Sequence, residues 1–329
     1  MSFGLSNLDF EMGPATREAF GEALAEAGAD ERIVVVDGDV NNSTFTNGFM
    51  ERFPERFFNA GIAESNMVGM AAGLAAAGKI PVAASFSTFL MSNAFDQIRM
   101  SVAFPNLNVK LVGSHAGISI GEDGPSQMAI EDIALACALP GFTVVVPADG
   151  ASARAATFAM LEREGPMFLR CGRPKVPVIY RDQDHLQLGK ANQLREGEDI
   201  TLIANGIMVA MALDAAEALS REGVDARVLD MHTVKPIDVA AIESAANETK
   251  GIVVAEEHLA YGGLGATVAM VTAERRATRM AFVNVGDTYA TSGKPDELLA
   301  QYGLTPGAIT DAARRVLKDA HPESRTGRV

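Results

Sequence analysis

The chain predicts an α/β protein of two consecutive domains with mostly parallel sheets, and three observations carry that prediction. Short β-branched runs such as Arg32-Ile-Val-Val-Val-Asp37 alternate with longer stretches of helical periodicity. The runs are mostly apolar without a period of two, as strands covered on both faces of a parallel sheet are. The alternation lapses once, between Gly172 and Asn192, into proline, charge and glutamine before resuming. The boundary is drawn there, with residues 1–186 as the first domain and 187–329 as the second; 329 residues of 48% hydrophobic content can bury two cores.

Taken in order, residues 14 to 28 set Ala15, Ala19, Phe20, Ala23 and Leu24 on one stripe and predict a helix stopping at Gly28. The run at Arg32–Asp37 is a buried strand ending in Gly-Asp, at the end of a parallel sheet where ligands gather. A helix containing Glu64 follows, then strand at Pro81–Phe86, an aromatic turn at Phe86-Ser-Thr-Phe89, and helix from about Asn93 to Val102. Strand at Val109–Gly113 delivers a long glycine and acid loop from Ser114 to Gln127. Ile130–Leu139 is helix, Thr143–Pro147 strand, Gly150–Glu164 helix and Met167–Arg170 strand. The second series reads strand at Ile200–Asn205, helix at Ile207–Glu222, strand at Ala226–Asp230, helix at Val239–Glu248 and strand at Gly251–Glu256. A helix opening at Tyr261-Gly-Gly-Leu-Gly-Ala, strand at Met280–Val285 and a final helix ending near Leu317 close the pattern.

A net charge of −14 and a pI near 4.8 argue against nucleic acid, whose phosphates demand a basic face. No apolar run reaches membrane-spanning length and no leader pattern opens the chain, so the expectation is an unprocessed, soluble cytoplasmic protein. Cys137 and Cys171 form neither a disulfide framework nor a metal-ligand pattern. No metal site is expected: the carboxylates of Asp37-Gly38-Asp39 lack further oxygen ligands. Gly262-Gly263-Leu264-Gly265 lacks dinucleotide spacing and fits close helix-to-strand packing.

Glu64 carries more information. It lies among Ala, Gly, Ile, Asn and Met, where a carboxyl group loses hydration and can share a proton with a ligand nitrogen; the competing reading is a solvated helix face. His115, Glu122 and Asp123 share one loop and suit hydroxyl chemistry, with His115 as hydrogen-bond donor or general acid/base. Arg17, Arg99, Arg170 and Arg173 are cations able to fork onto a phosphate, or simply to pair at the surface.

Together these strings resemble the carboxyl-terminal half of a transketolase from Pro14 to Leu317. They are Ala15-Thr-Arg17, Asp37-Gly-Asp39 with Asn42-Ser43-Thr44-Phe45, Ile62-Ala-Glu64-Ser-Asn-Met, Phe95-Asp-Gln-Ile-Arg-Met and Gly113-Ser-His115 through Gly121-Glu-Asp-Gly-Pro-Ser-Gln127. Arg227-Val-Leu-Asp, Lys235-Pro, Tyr261-Gly-Gly and Ser292-Gly-Lys-Pro continue the likeness.

The resemblance implies a pyrimidine-binding domain followed by the transketolase carboxyl-terminal domain. It implies that Glu64 hydrogen-bonds a pyrimidine nitrogen of thiamine diphosphate, the contact that leads to activation of the cofactor. Asp123 and Gln127 resemble residues that meet sugar hydroxyls; Arg17, Ser43, His115 and Arg173 resemble a grip for a sugar phosphate. Leu90-Met91-Ser92-Asn93 departs from a more aromatic family segment, leaving Phe89, Phe95 and Met91 as cofactor walls.

The Gly-Asp-Gly and spaced Asn that hold a divalent metal (Mg or Ca) and the diphosphate in a full transketolase have no counterpart in these strings. The expectation is therefore a split enzyme, with a partner subunit supplying that domain in an assembly of two copies of each chain. The competing readings are the beta subunit of a 2-oxo acid dehydrogenase E1 component and a scaffold without catalysis.

Overall fold

A computed structural model describes residues 3–181 and 186–320. In chain order the first strands are β1 (Met12–Ala15), β2 (Ile33–Asp37), β3 (Phe57–Asn59), β4 (Ile80–Phe86), β5 (Lys110–Ser114), β6 (Thr143–Val145), β7 (Met167–Arg170) and β8 (Lys175–Pro177). They are followed by β9 (Asn192–Arg195), β10 (Ile200–Ala204), β11 (Ala226–Asp230), β12 (Thr233–Lys235), β13 (Ile252–Ala255) and β14 (Met280–Val283).

The first sheet has the order β12-β6-β7-β5-β4-β2-β3 and is parallel except for β12. The second has the order β14-β13-β10-β11-β9, parallel except for the edge strand β9. Strands β2, β5, β7, β10, β11 and β13 are buried along their whole length, which is why they show no alternation of apolar and polar residues. Loops follow the carboxyl ends of β2 and β5, the edge of a parallel sheet at which ligands commonly bind.

Two features depart from the sequence reading. The aromatic turn is no turn: Phe86 ends β4 and Ser87 begins a helix, Ser87–Asn93, several residues before the expected start. Leu90, Met91, Ala94 and Ile98 recur at helical spacing and bury against the core, overriding the turn preference of Ser and Thr. The helix kinks at Ala94 and continues through Phe95–Gln97 into a π-helical turn, Ile98–Ala103.

The segment between Gly172 and Asn192 holds β8, which pairs with β1 as an antiparallel ribbon; such short strands depend on a distant partner. Elements on either side of residue 187 also meet. Strand β12 leaves the second series to pair with β6, and Asp214 accepts the backbone N–H groups of Ser6, Asn7 and Leu8.

The cores reflect this exchange. Ile118, Ile120, Met128 and Ile130 from the loop region pack with Val283, Val285, Leu298 and Leu299. The root of the loop is therefore held inside the contact between the two sheets' domains. Among the described residues no helix is long and apolar enough to cross a membrane.

Candidate active site

Glu64 is the first residue of helix Glu64–Ala76 and is buried, not on a solvated face. Its Oε1 accepts a hydrogen bond from the Ser85 hydroxyl at 2.9 Å. Its second oxygen accepts none among the described residues. Gly38 lies opposite: a side chain there would come within 3.0 Å of Ser85 Oγ and 3.7 Å of Glu64 Oε1. The glycine leaves an opening beside the carboxyl group.

A stack of rings runs from this point. Phe86 lies 3.9 Å from the His115 ring at 16° and 6.1 Å from Phe89 at 11°. Phe89 is half-buried and supplies a flat apolar wall, whereas Met91 has no exposed surface and packs in the core. A fully enclosed thioether has no face to offer a ring. Phe95 lines an apolar cleft of about 420 Å³ with Arg99, Met100, Phe104, Leu139 and Pro140.

His115 is buried with φ of +58°, a left-handed backbone that a non-glycine residue adopts at a cost of about 1–3 kcal/mol. Arg17 Nη1 lies 3.2 Å from its Nε2, and Ser114 Oγ lies 2.9 Å from its Nδ1. Since a guanidinium only donates, Nε2 is the acceptor and Nδ1 carries the proton, donated to Ser114. Ser114 in turn donates to the Ser85 carbonyl at 3.4 Å. Hydrogen bonds thus lead from Arg17 through His115 and Ser114 to the residue that holds Glu64.

Arg17 also donates to the Ser43 carbonyl at 2.8 Å and the Arg173 carbonyl at 3.3 Å, with its guanidinium 5.0 Å over the Phe45 ring. The structure brings Arg17, Ser43, His115 and Arg173 together, with Ser43 contributing a carbonyl. Burial, then the charges of Arg17 and Arg173, depress the His115 pKa from 6.5 to about 3. The imidazole is neutral at physiological pH, with its one N–H committed to Ser114.

This depression has a sign for stability. Unfolded His115 takes up a proton near 6.5 and folded His115 only near 3, so it withdraws stability as pH falls between those values. Wild type should lose about 2 kcal/mol more than His115→Gln between pH 7 and pH 5 in urea unfolding. Equal losses would show an ordinary histidine.

The loop beyond is less constrained. Asp123 is exposed and makes no hydrogen bond or ion pair among the described residues, and Gln127 accepts from Ser126 Oγ at 2.6 Å. Glu122 lies 3.7 Å from Arg173.

Other candidates resolve into structure. Arg170 is buried and ion-paired with Asp132 at 2.8 Å, which removes it from any phosphate grip. Arg99 lies on the cleft with Phe95. Asp37 accepts from Thr44, Thr46 and the Val40 N–H, which satisfies it within the chain. The Glu256 carboxylate takes the N–H groups of Leu264 and Gly265 at 2.7 and 2.8 Å, filling the helix end behind Gly262-Gly263. A side chain on Gly263 would strike that carboxylate.

Ser85, Phe86 and Phe45 are the site residues that sequence reasoning missed. Ser85 has a signal, a hydroxyl inside a strand whose neighbours are apolar; Phe45 stands in the Asn42–Phe45 string that carries the resemblance, but nothing local marks it as lying under Arg17.

Residues 12–178 match the transketolase pyrimidine-binding domain and residues 189–309 the transketolase C-terminal domain. A 6-deoxy-6-sulfo-D-fructose transketolase subunit from a Clostridium species (strain MSTE9) is 41% identical, over 91% of this chain and 94% of its own. Human transketolase is 40% identical over 93% of this chain, which spans 49% of it. A solved split gene transketolase, described as an inactive beta4 tetramer, superposes with a TM-score of 0.88 at 44% identity, covering 94% of this chain and 100% of its own.

Proposed function

The chain belongs to the transketolase family, and from that premise we propose that it is the pyrimidine-side subunit of a split, thiamine diphosphate-dependent transketolase. The observation that carries the reading is the buried Glu64 carboxyl group, with Oε1 held by Ser85 beside Gly38 and the second oxygen without a hydrogen-bond partner among the described residues. A buried acid with one free oxygen fits the ring nitrogen of an aminopyrimidine, and Phe86 and Phe89 supply an apolar face for the ring. When bound, thiamine diphosphate supplies a thiazolium carbon that serves as the nucleophile.

This chain's own residues then have separable roles. Glu64 exchanges a proton with the pyrimidine nitrogen; Ser85 fixes the carboxyl orientation. Arg17 and Arg173, with His115 between them and the loop backbone, grip the anionic end of a ketose phosphate or a similarly anionic ketose. An arriving dianion offsets the two cations that depress His115. Asp123 and Gln127 meet the sugar hydroxyls from the exposed side of the loop. The reaction is transfer of a two-carbon ketol unit to an aldose acceptor, in carbohydrate metabolism of the cytoplasm.

The diphosphate and its Mg or Ca ion belong, on this reading, to a partner subunit carrying the diphosphate-binding domain, in an α2β2 assembly. The coverage of split-type relatives over nearly their whole length supports it, as does coverage of about half of the human enzyme. The two family matches also support a domain division near residue 187. Purified subunits assayed singly and mixed test the reading. Ketol transfer is expected only in the mixture; turnover by this chain alone would overturn it.

A further inference from the structure

We infer that Glu257, on the second domain, is a positioning residue for the substrate loop, and that the second domain serves the reaction by cradling the loop's root. The inference rests on the transketolase reading for its kinetic consequence but not for its geometry.

Beyond His115 the chain enters a 3-10 turn, Ile118–Ile120, and then the stretch from Gly121 to Gln127, in which Glu122, Asp123, Pro125 and Ser126 are exposed and the two glycines are buried. The turn is reached from the second domain by Glu257, two residues past the end of β13. Glu257 is 5% exposed, and its Oε1 accepts the Ser119 N–H at 2.6 Å. The carboxyl group passes so close to Gly117 that a side chain there would lie 2.1 Å from its carboxyl carbon. Gly117 is left-handed at φ +83°, so both backbone and space demand glycine.

Arg173 donates to the Ile120 carbonyl at 2.6 Å, so the turn is gripped on its N–H side by Glu257 and on its carbonyl side by a residue of the anion grip. Arg170 ties the same region together by donating to the carbonyls of Ala129 and Glu257, each at 3.0 Å.

The second domain also supports the loop beyond the turn. A side chain at Gly121 would come within 2.9 Å of Pro295, and one at Gly124 within 2.4 Å of Ser292 Oγ. Ser292-Gly-Lys-Pro295 is therefore a shelf under the loop, and its packing accounts for the two glycines. Release of Ser119 would free the Ile120 carbonyl from its register with Arg173, loosening the anion grip on one side of the turn and Asp123 and Gln127 on the other.

Burial pushes Glu257 up to about 7, so near neutrality its carboxyl group spends much of its time protonated and still accepts from Ser119 through its carbonyl oxygen. Glutamine reproduces that form. Glu257→Ala, assembled with the partner subunit, should raise KM for the ketose phosphate about tenfold, while thiamine diphosphate affinity stays within about twofold. Glu257→Gln should restore KM to within about threefold of wild type. In the isolated chain, amide hydrogen exchange at Ser119 to Gly124 should accelerate about tenfold in the alanine variant and recover in the glutamine variant.

Unchanged exchange in Glu257→Ala overturns the inference whatever the enzyme's activity, and so does a glutamine variant as defective as alanine. Changed exchange with no ketol transfer by the wild-type mixture would instead overturn the functional reading alone. If Glu257→Ala does not fold, Gly117→Ala drives a side chain into the same carboxyl group and must give the same local exchange; unaltered protection there also overturns the inference.

Discussion

Replacing Glu64 by glutamine is expected to lower ketol transfer by the assembled subunits about 10²–10⁴-fold with fold and assembly intact. The amide keeps the shape and can still accept from Ser85, but it cannot exchange a proton with a pyrimidine nitrogen. Because Glu64 stands at the start of its helix and not within the core packing, the structural cost of the exchange is small. The comparison is steady-state rate at saturating cofactor, with size-exclusion profiles of both mixtures alongside. A rate within about threefold of wild type would remove Glu64 from the mechanism.

The second large effect is on stability. Arg170 and Asp132 are 6% and 1% exposed, and the pair joins strand β7 to the helix beginning at Asp132 and to the Glu257 carbonyl. Asp132 also accepts from Ser87 at 2.6 Å, at the start of the helix that carries Phe89. Arg170→Met leaves Asp132 buried without a counter-charge and should cost about 3–5 kcal/mol in urea unfolding. Adding Asp132→Leu should return part of that loss, since two apolar groups replace a pair whose desolvation was itself costly. A loss below about 1 kcal/mol in the single variant would mean that water reaches the pair.

Glu64 and Arg170 mark the limits of what is legible in the sequence. Glu64 stood out because a carboxylate among small apolar residues needs a reason; the structure supplied the burial and the Ser85 contact. In the sequence Arg170 is one of four cations able to fork onto a phosphate. Nothing local distinguishes it from Arg173, because its partner Asp132 begins a helix 38 residues earlier and becomes a neighbour only when β5 and β7 pair.

The aromatic segment failed differently. Local preference in Ser-Thr favours a turn, but burial of Leu90 and Met91 made it helix and took Met91 out of reach of any ligand. Phe86, unremarked as a contact, became the ring that joins His115 to Phe89.

The sequence by itself determined the two α/β series, the strands whose unbroken apolar runs require cover on both faces, and the family, through strings dense in glycine, acid and arginine. Those features are local: period, composition and spacing are properties of contiguous residues. Tertiary structure alone decided which arginine is ion-paired in the core and which lies beside His115, which tautomer His115 adopts, and that Glu257 reaches across to Ser119. Each of these depends on groups far apart in the chain that meet only once both sheets have formed. Burial then turns their proximity into fixed charge and fixed hydrogen bonds.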